Sequence, residues 1–164
     1  MPTARRIGKG LNALGTPLGF ADITPGLTLR SKGRTLTEAD HTLFMMLCGD
    51  WHPIHADEEY ARGTPAGARL MHGTFGVALA MGMQAAAVEF EDPVIGALGF
   101  KEWVFRHPLR IGDTVHVTVE MLSCRTTRDG KRYVVERKLA LVRSDGTVIQ
   151  DGVAAVMLRM PGEG

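Results

Sequence analysis

The chain has 164 residues, 45% of them hydrophobic and 23% charged, with a net charge of +1. That is the balance of one globular domain with a real core, and it gives no electrostatic case for binding nucleic acid or an anionic membrane surface. Its two cysteines, Cys48 and Cys124, match no disulfide framework or metal spacing, which points to reduced thiols in a cytoplasmic protein.

Residues 1–26 carry five glycines and three prolines and little periodicity, so they read as an N-terminal arm, with room for part of it to pack on the body or on a partner subunit. The glycines and prolines also break up any signal-like apolar run, and no targeting segment is expected. Leu27 to Leu36 suggests a short extended segment. Thr37 then opens a helix, with Asp40 placed to complete a capping box. Ala39, Leu43, Met46 and Leu47 fall at i, i+4, i+7 and i+8 and predict its apolar face. Gly49 is a suitable stop, because glycine accepts left-handed geometry. Asp50 therefore follows a helix end, in a loop running from Trp51 to Pro65.

A short polar helix is expected around Asp57 to Ala61, and a turn at Thr64 to Gly67. The central helix spans about Gly73 to Phe90 and is apolar on almost every face, which predicts burial all round. Its small residues would let other backbone approach. The apolar run from Phe75 to Val88 is shorter than the roughly 20 residues a bilayer span needs. Beyond Asp92-Pro93 the pattern becomes strands: Ala97 to Phe105, Thr114 to Met121, Tyr133 to Val142 and Val148 to Arg159. The last three are separated by turns at Arg128 to Lys131 and Ser144 to Thr147, which implies an antiparallel meander. The whole reads as an α+β fold with the domain at residues 27–160 and a tail at 161–164.

Asp50 and His55 carry the chemistry. Five positions apart, they would sit about 140° apart on a regular helix. Pro53 is expected to keep the segment out of helix so that the two side chains converge. A carboxylate and an imidazole sharing one water form a general acid–base pair; the bland alternative is a turn-capping aspartate and a surface histidine. His72-Gly73 opens the central helix, where free N–H groups and the helix dipole can stabilise an oxyanion, and glycine lets a carbonyl come close.

Gly49-Asp50-x-x-Pro53-Ile54-His55, with Ala56-Asp57 following and His72-Gly73 seventeen residues after His55, resembles the signature of the MaoC-like, (R)-specific enoyl-CoA hydratases. Phe105 to Asp113 resembles the same family's strand and Gly-Asp turn, and the likeness covers roughly residues 28 to 160. It implies a hot dog fold, an antiparallel sheet wrapped around a long central helix. It also implies hydration of a 2-enoyl-CoA to a 3-hydroxyacyl-CoA, or the reverse. Asp50 and His55 would then be catalytic, and Gly73 with His72 would form the oxyanion and substrate-binding element. The substrate would be an acyl-CoA thioester, with no metal and no cofactor beyond its coenzyme A. A homodimer or higher homo-oligomer is expected, its sheets joined edge to edge. A hot dog thioesterase and a silent acyl-CoA-binding subunit are the rival readings.

Two positions depart from the family pattern. His52 stands where the family usually has Asn, and Met81 where several members carry a supporting Ser. His52, His55, Asp57 and His72 could also be considered as zinc ligands, but their spacing fits no zinc pattern. Lys101, Arg106 and Arg110 could meet coenzyme A phosphates, though scattered surface cations are the commoner explanation. Trp51 could line an acyl pocket or serve as a core or interface aromatic. The five methionines Met45, Met46, Met71, Met81 and Met83 read as core filler, and His41 as part of the helix surface.

Overall fold

The computed structural model describes residues 17–162; residues 1–16 of the arm and 163–164 of the tail lie outside the described part. Thr37 caps the first helix as expected: its side chain accepts from the Asp40 N–H, and Asp40 reaches back to the Thr37 N–H. This helix, α1, spans Glu38–Cys48 and ends on Gly49 in the left-handed region, φ 71°. Two short helices follow, α2 (Pro53–Ala56) and α3 (Glu58–Arg62), and then the long α4 (Gly73–Ala87).

Strands β1 (Thr28–Arg30) and β2 (Arg34–Thr35) precede the helices; β3 (Val94–Phe105), β4 (Thr114–Thr126), β5 (Arg132–Arg143) and β6 (Val148–Arg159) follow them. They form one antiparallel sheet in the order β1-β4-β5-β6-β3, with β2 also on β4. The clean alternation of β4 places Val115, Val117, Val119 and Met121 in the core. On β5, Tyr133, Val135, Leu139 and Leu141 join them, and Leu79, Ala80, Met83 and Ala87 of α4 close the layer. A sheet curved around one long helix is the hot dog arrangement. Leu18 and Ile23 pack into the same core, and Leu18 bridges to Phe90.

The structure corrects several expectations. The central helix stops at Ala87, and β3 begins three residues earlier than Ala97. α4 is not covered all round: Thr74, Ala78, Gly82, Ala85 and Ala86 are exposed. The expected apolar face of α1 also points outward, with Leu43 and Met46 each 66% exposed. α1 carries a second stripe, His41 and Met45 at i, i+4, and that stripe is the buried one. Counting His41 as polar hid it.

Candidate active site

The helix stop at Gly49 delivers Asp50 to the N-terminal end of α4. Pro53 does not keep the next segment out of helix, as expected; it starts α2 at the first helical position, where its missing N–H costs nothing. Convergence of Asp50 with His55 follows because the helix begins only after His52, whose backbone is non-helical with ψ 137°. Asp50 Oδ1 accepts from the His52 N–H at 3.1 Å. Its Oδ2 stands 3.9 Å from His55 Nε2 and 3.5 Å from His72 Nε2.

Each imidazole is fixed by a backbone group. His55 Nδ1–H donates to the Leu70 carbonyl at 2.6 Å, which leaves Nε2 as an acceptor facing Asp50. His72 Nε2–H donates to the Asp50 carbonyl at 3.0 Å. The His55 and His72 rings stack with centroids 3.8 Å apart. His52 ties the loop to its own backbone, its Nδ1 accepting from the Ile54 N–H at 3.2 Å. The Asp50 side chain is 51% exposed and that of His55 16%, so the pair can be reached from outside.

His72 is the residue before α4, and no side chain caps the helix start. The first N–H groups of α4 have no partner within the helix. Gly73 lies close under Phe105: a Cβ there would fall 2.9 Å from Phe105 Cε1, so this exposed ring would have to shift. Behind it sits Gln150, 1% exposed. Its Nε2–H donates to the Gly73 carbonyl at 3.0 Å, and its Oε1 accepts from Trp103 Nε1–H at 3.1 Å. A Cβ on Gly76 would fall 2.0 Å from Gln150 Nε2, so glycine leaves the room this amide occupies.

Sequence reasoning missed Gln150, because Ile149, Gln150 and Asp151 are all buried in succession and strand alternation gives no signal there. It also placed His41 on the surface. His41 is fully buried, 5.8 Å from the His72 ring between centroids, and neither of its nitrogens has a hydrogen-bond partner among the described residues. Burial, with the Arg69 cation nearby, holds its pKa below the usual histidine value.

The metal question changes shape. Asp57 is occupied as the cap of α3, accepting from the N–H groups of Glu59 and Tyr60. The histidines brought together are His41, His55 and His72, with donor atoms within 4.8 Å of one another. Two of the ring nitrogens are already engaged, His55 Nδ1 with the Leu70 carbonyl and His72 Nε2 with the Asp50 carbonyl.

Of the cations considered for coenzyme A, Lys101 pairs with Glu136 at 2.6 Å and Arg106 binds Asp151 through both oxygens. Arg110 Nη2 donates to the Ala66 carbonyl at 2.6 Å. Trp51 is 52% exposed and is not a core residue. Met45, Met71 and Met83 are in the core and Met81 packs against it, whereas Met46 is exposed.

A hot dog sheet with a carboxylate and an imidazole facing the open end of its helix defines a class of thioester-handling proteins. The chain belongs to the MaoC-like domain family, whose pattern matches residues 22–142. It is similar to the (R)-specific enoyl-CoA hydratase of Rhodospirillum rubrum, 34% identical over 85% of this chain and 90% of that protein. It is likewise similar to the 3-hydroxybutyryl-CoA dehydratase of Methylorubrum extorquens, 35% identical over 85% of this chain and 83% of that one. Among solved structures, the unliganded R-hydratase of Pseudomonas aeruginosa superposes with a TM-score of 0.70 at 26% identity, covering 86% of this chain and 85% of that one. No helix among the described residues is long and apolar enough to cross a membrane.

Proposed function

We propose that the protein adds water to a 2-enoyl-CoA thioester, giving the 3-hydroxyacyl-CoA, or removes it in the reverse direction. The observation that carries this reading is the approach of Asp50 Oδ2 and His55 Nε2 to 3.9 Å beside the uncapped start of α4. A water between them meets two acceptors. His55 Nε2 takes one of its protons while the oxygen bonds to C3, and Asp50 holds the other hydrogen and fixes the orientation. The Gly73 N–H receives the charge that develops on the thioester oxygen as the C2–C3 π electrons move toward it. His55 then returns the proton to C2, restoring the carbonyl and the neutral imidazole. Coenzyme A enters as part of the substrate, and the thioester itself is the electron sink, so the step calls for no metal and no further cofactor.

The active form is a homodimer in the cytoplasm. β3 is a twelve-residue strand at one end of the strand order, and it leaves Val94, Ile95, Leu98, Phe100, Val104 and Phe105 exposed at 40–57%. A long apolar edge of this kind calls for cover, and a second copy offers the same edge in antiparallel register. A monomeric species by light scattering at micromolar concentration would count against it.

A panel of 2-enoyl-CoA thioesters tests the reaction. Loss of the conjugated enone absorbance without release of free thiol is the expected result. Thiol release without enone loss would replace hydration by thioester hydrolysis.

A further inference from the structure

Alternation along β5 sends Tyr133, Val135, Arg137, Leu139 and Leu141 into the core. One member of that row is a guanidinium. Arg137 is 2% exposed. Its Nη1–H donates to Gln84 Oε1 at 2.7 Å, and the Phe90 ring lies 5.9 Å from its Cζ. Its Nε has no hydrogen-bond partner. Among the described residues no carboxylate pairs with it, whereas Arg34, Arg62, Arg69, Arg106, Arg132 and Arg143 each have one. Outside the described part, residues 1–16 contain no Asp or Glu, and residues 163–164 contain one, Glu163. Burial pushes the Arg137 pKa down to about 10.

A guanidinium stays charged inside a protein, and a buried charge is costly unless an opposite charge meets it. Leucine would fill the same place in the row more favourably, as its neighbours show. The position relative to the reaction centre gives the charge a use. Gln84 lies on α4, eleven residues after Gly73, and Gly73, Ala80 and Gln84 share one face of that helix. The rise from Gly73 to Gln84 is about 16 Å, and helical side chains lean toward the N-terminus. Beside Arg137 in the sheet are Met121 on β4 and the small Ala154 on β6. Ala80, between the two ends of this face, is small and packed against the sheet, so an acyl chain held by its thioester at Gly73 reaches the guanidinium by parting α4 from the sheet along this face.

We propose that Arg137, assisted by the Gln84 amide, binds a carboxylate at the far end of the acyl chain, so that the preferred substrates are 2-enoyl thioesters ending in an ω-carboxylate. The proposal rests on the hydratase reading above. The carboxylate supplies the missing counter-charge, and the planar guanidinium suits it through paired N–H···O bonds.

The test uses 2-enoyl-CoA thioesters in pairs of equal chain length, one ending in a methyl group and one in a carboxylate, over a range of lengths. With the wild-type protein, kcat/KM for the carboxylate member is expected to exceed that of its methyl partner by about a hundredfold at the best length. Arg137→Met brings the ratio to one or below, while Arg137→Lys retains part of it. A melting temperature of Arg137→Met at or above that of the wild type separates loss of binding from loss of folding. Equal rates for both members at every length overturn the inference and leave hydration standing, and so does a folded Arg137→Met that keeps the preference. Hydration of neither class overturns the hydratase reading and this inference with it. The wild-type comparison needs no variant, so a misfolded Arg137→Met leaves it decisive.

Discussion

At the N-terminal end of α4, Asp50, His52, His55, His72 and Gln150 each bond a backbone group. At its C-terminal end, Arg137 bonds one amide oxygen and no carboxylate among the described residues. The first cluster is anchored and still leaves Asp50 Oδ2 and His55 Nε2 facing each other for a reactant. The second is buried more deeply and has no counter-ion among the described residues. Pre-organised groups that keep one valence open do chemistry without reorganising. A buried charge without a partner reports a recognition element instead. One helix thus separates where a substrate reacts from where it is selected.

The largest expected effects come from breaking the first cluster at its open valences. Asp50→Asn or His55→Ala lowers kcat by about 10²–10⁴-fold. Both side chains are at least partly exposed, so melting temperatures should hold while turnover is lost. A pair of stable variants with unchanged kcat would remove both residues from the mechanism.

Next in size is the packing behind Gly73. Gly76→Ala puts a methyl group where Gln150 Nε2 sits, 2.0 Å from the new carbon. Gln150 must move, leaving the Gly73 carbonyl and Trp103 Nε1–H to find other partners. A loss of about 1–3 kcal/mol of stability is expected from the overpacking. The reaction should suffer too, with kcat falling more than KM rises, because the displaced groups set the position of the helix start rather than bind the acyl chain. Gln150→Leu tests the same point without the clash. If kcat is unchanged in a folded Gln150→Leu, the amide is only structural.

These two regions were not equally legible. Thr37, Asp40 and Gly49 were legible from capping rules, and Asp50, His55, His72 and Gly73 were singled out by their spacing together with the family signature it resembles. The β4 row and both hairpin turns followed from alternation and Asp-Gly pairs. Pro53 was misread, because a proline that forbids continuing a helix also favours starting one. The face of α1 was misread because two stripes compete and hydrophobicity favours the one that faces outward in this structure. Gln150 and Arg137 were not singled out at all. Each gains its meaning from a residue far away in sequence, Gly73 and Gln84 respectively, and no local pattern encodes that pairing.

The smallest expected effect concerns His41, which sits behind the first cluster without a hydrogen bond. Its pKa is depressed in the folded protein by burial, the Arg69 cation and the neighbouring His72 and His55, against a lesser opposing pull from Glu38. The unfolded chain therefore binds a proton at a pH where the folded one does not. His41 lets the protein keep its full stability above the ordinary histidine pKa of about 6.5 and withdraws stability as pH falls below it. His116, depressed by burial and by Arg30, acts in the same direction. Glu38 and Asp40 are held below their usual values, so their loss comes at lower pH, below about 4.5. Between these limits each histidine contributes a slope of at most about 1.4 kcal/mol per pH unit. Denaturant titrations from pH 7.5 to 5 should show stability falling, and His41→Leu should flatten the fall to the part owed to His116. An unchanged slope in His41→Leu would mean that folding leaves its pKa where it was, and a steeper fall would mean that His41 is already protonated in the fold. The buried ring beside His72 would then act as a cation, and the distinction between the two ends of α4 would have to be redrawn.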